Sequence, residues 1–338
     1  MNKILILKND RAGDLMTSLK LISSLNYNNK LKIYLSELNN GFSFFFKNIN
    51  TEKINFNLDI KDKIKIFFDL YKNSYDEVYI LTPKSFYFFL PLFFRRVKFY
   101  SIVYNNKRNR PINWLRKFLF KYRIIYRNKI NISSYRDIQL ELLDKKDNID
   151  NDFSNICVPK ISRKLYNIIP KQFLFFQFRY LFFLKLGWGL DEFNLLMNKL
   201  LSKYENILFS SDNEKNDEIL EFNKHFEENY SIIDTNKYFS KINNTNKKIF
   251  YLKNINAENL FLICKESKMN LAKEGIISHI SYFHNVKCHN LFNFQINSFD
   301  DYKFQKISYS EWSKGMNISF SFLNSSIEKS IKKILRNV

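Results

Sequence analysis

The residues best suited to chemistry stand near the start of the chain, in Lys8-Asn9-Asp10-Arg11-Ala12-Gly13-Asp14-Leu15. An apolar run, Ile4 to Leu7, ends there. A helical pattern opens at Asp14, with Leu15, Leu19, Ile22 and Leu25 at three- and four-residue intervals. The carboxylate of Asp14 would project into a cleft at the carboxyl end of that strand. Gly13 would let the backbone turn tightly beside a ligand. Asp is also a favoured N-cap residue, so residue chemistry equally accommodates a structural Asp14. No GxGxxG and no GxxxxGK[ST] is present, which excludes a dinucleotide fingerprint and a Walker loop. A second grouping, His279, His284, Cys288 and His289, invites a metal. Its spacing lacks a paired second half, and on a strand Cys288 and His289 would face opposite sides, so no metal site is expected.

The elements that must position these residues alternate in type. Strand candidates are Ile4 to Leu7, Lys32 to Leu35, Ile54 to Phe56, Glu77 to Leu81 and Lys98 to Val103. A polar, acidic stretch, Asp147 to Asn155, followed by Pro159 and Pro170, reads as a linker. The pattern then restarts with strands at Phe173 to Phe176, Asn206 to Phe209, Ser231 to Ile233, Lys248 to Leu252, Met269 to Ala272 and Val286 to Leu291. Asp191 and Asn256 are helix caps in this reading. Strands separated by helices indicate open α/β sheets. The division expected is a first domain over 1–158, a second over 159–318, and a basic amphipathic C-terminal helix within 319–338 that returns to the first domain. Ligands of such sheets bind outside the carboxyl ends of the strands, so a cleft between the two halves is the expected site.

Composition narrows the partners. The 338 residues carry a formal net charge of +21. Most basic residues are Lys, in a chain also rich in Asn, Ile, Phe and Tyr, and biased codon usage accounts for part of that charge. From Val78 to Tyr135, however, there is no acidic residue, and most of the arginines lie there, including Arg95 and Arg96. Arg binds phosphate bidentately, so this stretch is expected to meet anionic glycolipid and an inner-leaflet membrane surface. No helix-turn-helix, zinc-finger or RNP pattern is present, and no nucleic-acid partner is expected. Three scattered cysteines, Cys157, Cys264 and Cys288, suggest a reducing compartment. The N-terminal apolar run is too short for a signal peptide, and Ser85 to Phe94, the longest apolar stretch, is about half a membrane span. The expectation is a cytoplasmic monomer, peripheral on the inner membrane face.

The N-terminal segment Ile4 to Leu19, with its Gly13-Asp14 turn, resembles the opening of the lipopolysaccharide heptosyltransferase family, glycosyltransferase family 9. The resemblance implies a GT-B architecture of two Rossmann-like domains, an inverting sugar transfer from a nucleotide sugar to a lipopolysaccharide-type acceptor, and Asp14 as general base. It implies no cofactor and no metal, with ADP-heptose as the usual donor. On the acceptor side the expected residues are Asp10, Arg11 and Gly13, joined by Arg95 and Arg96 of the basic stretch. Met269 to His279 is similar to the family's strand and D-[ST]-G-x-x-H turn, with Glu274 at the acid position and Gly275 one place early. Glu274, Gly275, Ser278 and His279 are then expected at the donor diphosphate, on a helix beginning at Ser278. Lys185, three residues before Trp188, would neutralise the same diphosphate. Glu214, in Ser210-Ser211-Asp212-Asn213-Glu214, would touch the nucleoside. A family member using another sugar, or a non-catalytic glycan-binding protein, remains open at this stage.

Overall fold

The computed structural model describes residues 1–104, 123–127, 139–143, 153–211, 217–242, 248–293, 313, 317–323 and 326–338. Two compact units result, one within Met1–Pro159 and one beginning at Lys160 that includes the C-terminal strand and helix. The first unit runs β1 (Lys3–Lys8), α1 (Ala12–Asn26), β2 (Lys30–Ser36), β3 (Asn50–Ile54), α2 (Ile60–Asn73), β4 (Glu77–Ile80), α3 (Leu90–Phe93), β5 (Lys98–Tyr104) and β6 (Arg123–Arg127). Its strands are all parallel, in the order β3-β2-β1-β4-β5-β6. That is the Rossmann order, which reverses between β1 and β4. β1 is covered on both faces, and Ile4, Leu5, Ile6 and Leu7 are buried, which is why it is a continuous apolar run.

The second unit runs α4 (Arg163–Ile168), β7 (Phe173–Gln177), α5 (Tyr180–Leu184), α6 (Leu190–Leu201), β8 (Asn206–Ser210), α7 (Asp217–Asn229), β9 (Ser231–Asp234), β10 (Phe239–Lys241), β11 (Ile249–Lys253), α8 (Ala257–Glu266), β12 (Met269–Lys273), α9 (Ile276–His284), β13 (Lys287–Asn293), β14 (Ile318–Leu323) and α10 (Ile327–Asn337). The sheet order is β10-β9-β11-β8-β7-β12-β13-β14, and only β10 is antiparallel. Removing the β9–β10 hairpin leaves another Rossmann order, reversing between β7 and β12. Its core is an aromatic stack in which Phe178 and Phe193 are 4.8 Å apart and Phe209 and Phe226 5.0 Å apart. Each such edge-to-face pair adds about 0.5–1.5 kcal/mol beyond simple burial.

Several expectations shift. The strand expected at Ile54 to Phe56 lies earlier, because Asn55 N–H donates to Asp62 Oδ2 at 3.0 Å and Phe56 N–H to Glu37 Oε2 at 2.6 Å instead of entering a ladder. The apolar Ser85 to Phe94 is no single helix: a 3₁₀ turn, Ser85–Phe89, passes into the four-residue α3, which has Pro91 near its start. Helix α6 is capped by Gly189, with the Glu192 carboxylate accepting its N–H at 2.6 Å, so Asp191 lies in the first turn. Asn256 does cap α8, accepting from the Asn259 N–H at 2.8 Å. The C-terminal helix belongs to the second unit. Ile331 and Ile334 are buried in the second unit's core, and α10 packs on β14 and α6. Strands β6, β10 and β14 were not foreseen. No helix among the described residues is long and apolar enough to cross a membrane.

Candidate active site

In each unit separately, a motif loop leaves the sheet at the point where strand order reverses, the position where open α/β sheets bind ligands. The first is the loop from Lys8 to Asp14. Lys8 is fully buried, and its Nζ lies 2.7 Å from Asp10 Oδ2. A buried ammonium needs such a partner, so Asp10 is held by structure. Asn39 Nδ2 donates to the Lys8 carbonyl at 2.8 Å and to Asp10 Oδ1 at 3.4 Å, and Ser36 Oγ donates to the Asp10 carbonyl at 2.5 Å. Buried Asn9 donates to the Asn55 carbonyl at 3.0 Å and accepts from the Tyr87 hydroxyl at 2.8 Å. The loop is thus tied to the ends of β1, β2 and β3.

Helix α1 begins at Ala12, with Arg11 as its N-cap. Asp14 is therefore the third helical residue rather than the cap, and its side chain is exposed. Crowding by the surrounding protein removes water from the carboxyl and raises its pKa above the ordinary aspartate value, Lys8 pulling it back down and Asp10 raising it. The nearby charge and backbone N–H of Arg11 also favour the ionised form. An accessible carboxylate with a raised pKa, held at a helix start, is suited to general-base work. Thr17 Oγ1 donates to the Asp14 carbonyl at 2.7 Å, which fixes the first turn. Gly13 lies in the first turn of α1 and is not among the glycines of positive φ, so the turn does not draw on its conformational freedom.

Two further residues sit at this edge. Thr82, just beyond β4, has a buried hydroxyl without a hydrogen-bond partner, while its N–H donates to the Leu7 carbonyl at 3.1 Å. Lys84 donates to the Phe56 carbonyl and lies 4.3 Å from the centre of the Phe56 ring, and its partial burial lowers its pKa. The Thr82 hydroxyl and the Asn9, Ser36 and Asn39 supports were missed, because only the strand order brings them to this edge of the sheet.

In the second unit, the loop after β12 is built differently. Gly275 has φ +151° and ψ −144°, a backbone open essentially to glycine alone. It is the N-cap of α9, which starts at Ile276, two residues earlier than expected. Ser278 is consequently fully buried, and its hydroxyl donates to Asn290 Oδ1 at 2.7 Å, inward rather than toward a ligand. Glu274 is exposed and His279 half-buried on the following turn. The first-turn amides of α9 are the groups suited to an anion. At the neighbouring β7 end, Lys185 is exposed at the close of α5, and Trp188 is buried with its Nε1 unpartnered. Glu214 lies outside the described residues.

Some expected partners are not brought together. Arg95 and Arg96 line a hollow with Asn2, Asp76 and Glu77, at the amino ends of β1 and β4. The crossover from β4 to β5 carries them to the sheet edge opposite Asp14. Asp10 likewise is engaged by Lys8. Cys288 and His289 face opposite sides of β13, with Cys288 Sγ 3.6 Å from Asn290 Oδ1 and His289 Nδ1 2.7 Å from Ser319 Oγ. Burial lowers the His289 pKa to about 4. Among the described residues no group of three His, Cys, Asp or Glu is placed to hold a metal.

No protein-family model and no curated protein matches the chain. Solved structures do. ADP-heptose lipopolysaccharide heptosyltransferase II of E. coli matches with a TM-score of 0.62 and 12% identity, over 99% of this chain and 97% of that one. An E. coli heptosyltransferase with ADP matches at 0.60 and 12%, over 99% and 100%. The UDP-GlcNAc 2-epimerase of Methanocaldococcus jannaschii matches at 0.57 and 16%, over 98% and 92%. The chain therefore has the fold these enzymes share, an α/β architecture of two Rossmann-like units of the GT-B type.

Proposed function

We propose that this protein is an inverting glycosyltransferase that moves a sugar from a nucleotide sugar to a hydroxyl of a surface-glycan acceptor. The observation that carries the reading is the placement of the Asp14 and Gly275 loops, each at the strand-order reversal of its own sheet. In this reading the Asp14 carboxylate takes the proton of the acceptor hydroxyl. The hydroxyl oxygen bonds to the anomeric carbon as the bond to the diphosphate breaks on the opposite face, and the nucleoside diphosphate departs with the electron pair. Lys185, His279 and the first amides of α9 meet the charge that builds on the leaving diphosphate. A heptose carried on ADP is the donor favoured by the N-terminal resemblance and by the E. coli structures of the same fold.

A second reading follows from the 2-epimerase match: a nucleotide-sugar enzyme that rearranges a UDP-sugar without an acceptor. A thermal-shift screen of ADP- and UDP-sugars separates the two, followed by product analysis with and without a core oligosaccharide. A donor at about a hundred times its Kd adds about 2.7 kcal/mol to the native state. Stabilisation by an ADP-sugar and acceptor-dependent release of ADP support transfer. Stabilisation by a UDP-sugar with an acceptor-independent new sugar supports the second reading. Stabilisation by none overturns both.

A further inference from the structure

Helix α2 buries Ile66 and Leu70 in the core of the first unit but carries a second apolar stripe outward. Helices on a domain surface normally bury their apolar stripe and expose their charges. Here Asp62 and Asp69 are buried, whereas Ile60 is 73%, Ile64 50%, Phe68 53% and Tyr71 73% exposed. At about 100° per residue these four fall within about 80° of one another, on a single stripe. The buried carboxylates have partners that explain the orientation: Asp62 accepts from the Asn55 N–H at 3.0 Å, and Asp69 from the Tyr34 hydroxyl at 2.9 Å and Lys32 Nζ at 3.0 Å. The outward stripe has no such account within the unit.

The apolar surface does not stop at the helix. The Phe67 ring lies 5.5 Å from Phe93 and 5.1 Å from Phe94, and Phe89, Leu92 and Phe93 are themselves 50%, 45% and 65% exposed. Cations border this surface. Lys61 and Lys72 are exposed beside the stripe, and Arg95 and Arg96 follow Phe94 directly. Tyr71, Phe93, Arg95 and Arg96 line one hollow. The nearby carboxylates each have partners: Asp59 caps α2, accepting from the Asp62 N–H at 2.7 Å, Glu52 lies 3.2 Å from Lys32 and 3.4 Å from Lys65, and in the hollow itself Asp76 accepts from the Lys3 N–H at 2.8 Å and Glu77 from Asn2 Nδ2 at 3.3 Å. A contiguous exposed apolar patch marks an interaction site, and a cationic border selects an anionic partner. Two copies of this face would set like charges against each other, which disfavours self-association.

We propose that the α2 stripe and the Phe89–Arg96 segment form a membrane-docking face, with Ile64, Phe68 and Phe93 inserted at the interface of an anionic bilayer and Lys61, Lys72, Arg95 and Arg96 at its headgroups. The mode is that of an amphipathic helix lying in the interface plane. Helix α2 begins four residues after Phe56, whose carbonyl Lys84 holds at the Asp14 edge. The start of α2 therefore lies toward the Asp14 edge of the sheet, and its end, with Arg95 and Arg96, toward the opposite edge. Docking stands independently of the transfer reading, because vesicle binding and donor binding are separate measurements.

The test is co-sedimentation of the full chain with vesicles of phosphatidylcholine alone and of phosphatidylcholine with phosphatidylglycerol. Binding is expected to the anionic vesicles, to weaken with salt, and to fall by at least about tenfold in Ile64→Ser/Phe68→Ser, since each loses the transfer free energy of an inserted side chain. The melting temperature reports whether that variant is folded. Phe68→Trp supplies a signal that needs no loss of binding: brominated lipid in anionic vesicles should quench its fluorescence. No anionic binding by wild type, unchanged binding by the folded double variant, or no quenching of Phe68→Trp overturns the proposal. So does a concentration-dependent dimer that the double variant abolishes, since the face would then belong to a second copy.

Discussion

The two motif loops occupy the same topological place and are made of opposite materials. The loop after β1 is built on charge: a buried Lys8–Asp10 pair, side-chain hydrogen bonds from Ser36 and Asn39, and the exposed Asp14 carboxyl among them. The loop after β12 is built on backbone: Gly275 at a φ closed to other residues, a helix start, and the small neutral Ser278–Asn290 pair sealed beneath it. A place that must hold and move a proton needs fixed charges nearby, because they set the carboxyl's pKa. A place that must take up a diphosphate needs open amides and close backbone approach. The difference in construction thus matches the difference in task that the proposed reaction assigns.

The comparison can be broken from either side. Asp10→Ala should cost the most, about 3–5 kcal/mol in urea unfolding, because it leaves the Lys8 charge buried without its partner. A loss below about 1 kcal/mol would show that the loop is not built on charge. Next is an acid effect in the second unit. His289 is fully buried, and its pKa falls from 6.5 to about 4 in the fold. The unfolded chain therefore takes up a proton first as pH drops below about 6.5, and stability falls until about pH 4, by up to about 3 kcal/mol. Above about 6.5 the group is neutral in both states and contributes nothing. His289→Asn should flatten that decline in unfolding measured from pH 7 to 5. Gly275→Ala comes third, with a loss of about 1–3 kcal/mol from backbone strain and a weaker nucleotide-sugar Kd in titration. The space for a methyl is present, since its nearest atom would be the Lys273 carbonyl at 4.0 Å, so the effect isolates the φ requirement. Ser278→Ala should be smallest, about 1 kcal/mol, with donor affinity unchanged. Weaker donor binding there would return the hydroxyl to the ligand side.

Much of the fold was legible because buried parallel strands announce themselves as apolar runs: Ile4 to Leu7, Phe173 to Phe176 and Asn206 to Phe209 all lie within observed strands. Strand β3 was displaced because it is an edge strand of polar residues, Asn50-Thr51-Glu52-Lys53-Ile54, with no run to reveal it. Strand β6 is a short apolar triplet, Ile124-Ile125-Tyr126, flanked by Arg123 and Arg127 in a strongly basic stretch of sequence, which concealed it. At the candidate site, the strand-to-helix turns that carry Asp14 and Gly275 were legible. Three things were not. The burial of Ser278 depended on a helix starting two residues earlier. The engagement of Asp10 depended on Lys8 being fully covered, whereas adjacent charges in sequence read as surface. The distance of Arg95 and Arg96 from Asp14 depended on which sheet edge the crossover reaches. Each is a long-range consequence of strand order, which local spacing does not encode.

The central claim is that Asp14 removes the acceptor proton in a sugar transfer. Its most direct test is a paired measurement on wild type and Asp14→Asn: the Kd for the stabilising nucleotide sugar, and the acceptor-dependent turnover with that donor. The variant keeps the size of the side chain and removes its basicity. The account predicts equal donor Kd values and a turnover lower by about 10²–10⁴ in the variant. Turnover unchanged in Asp14→Asn would contradict it.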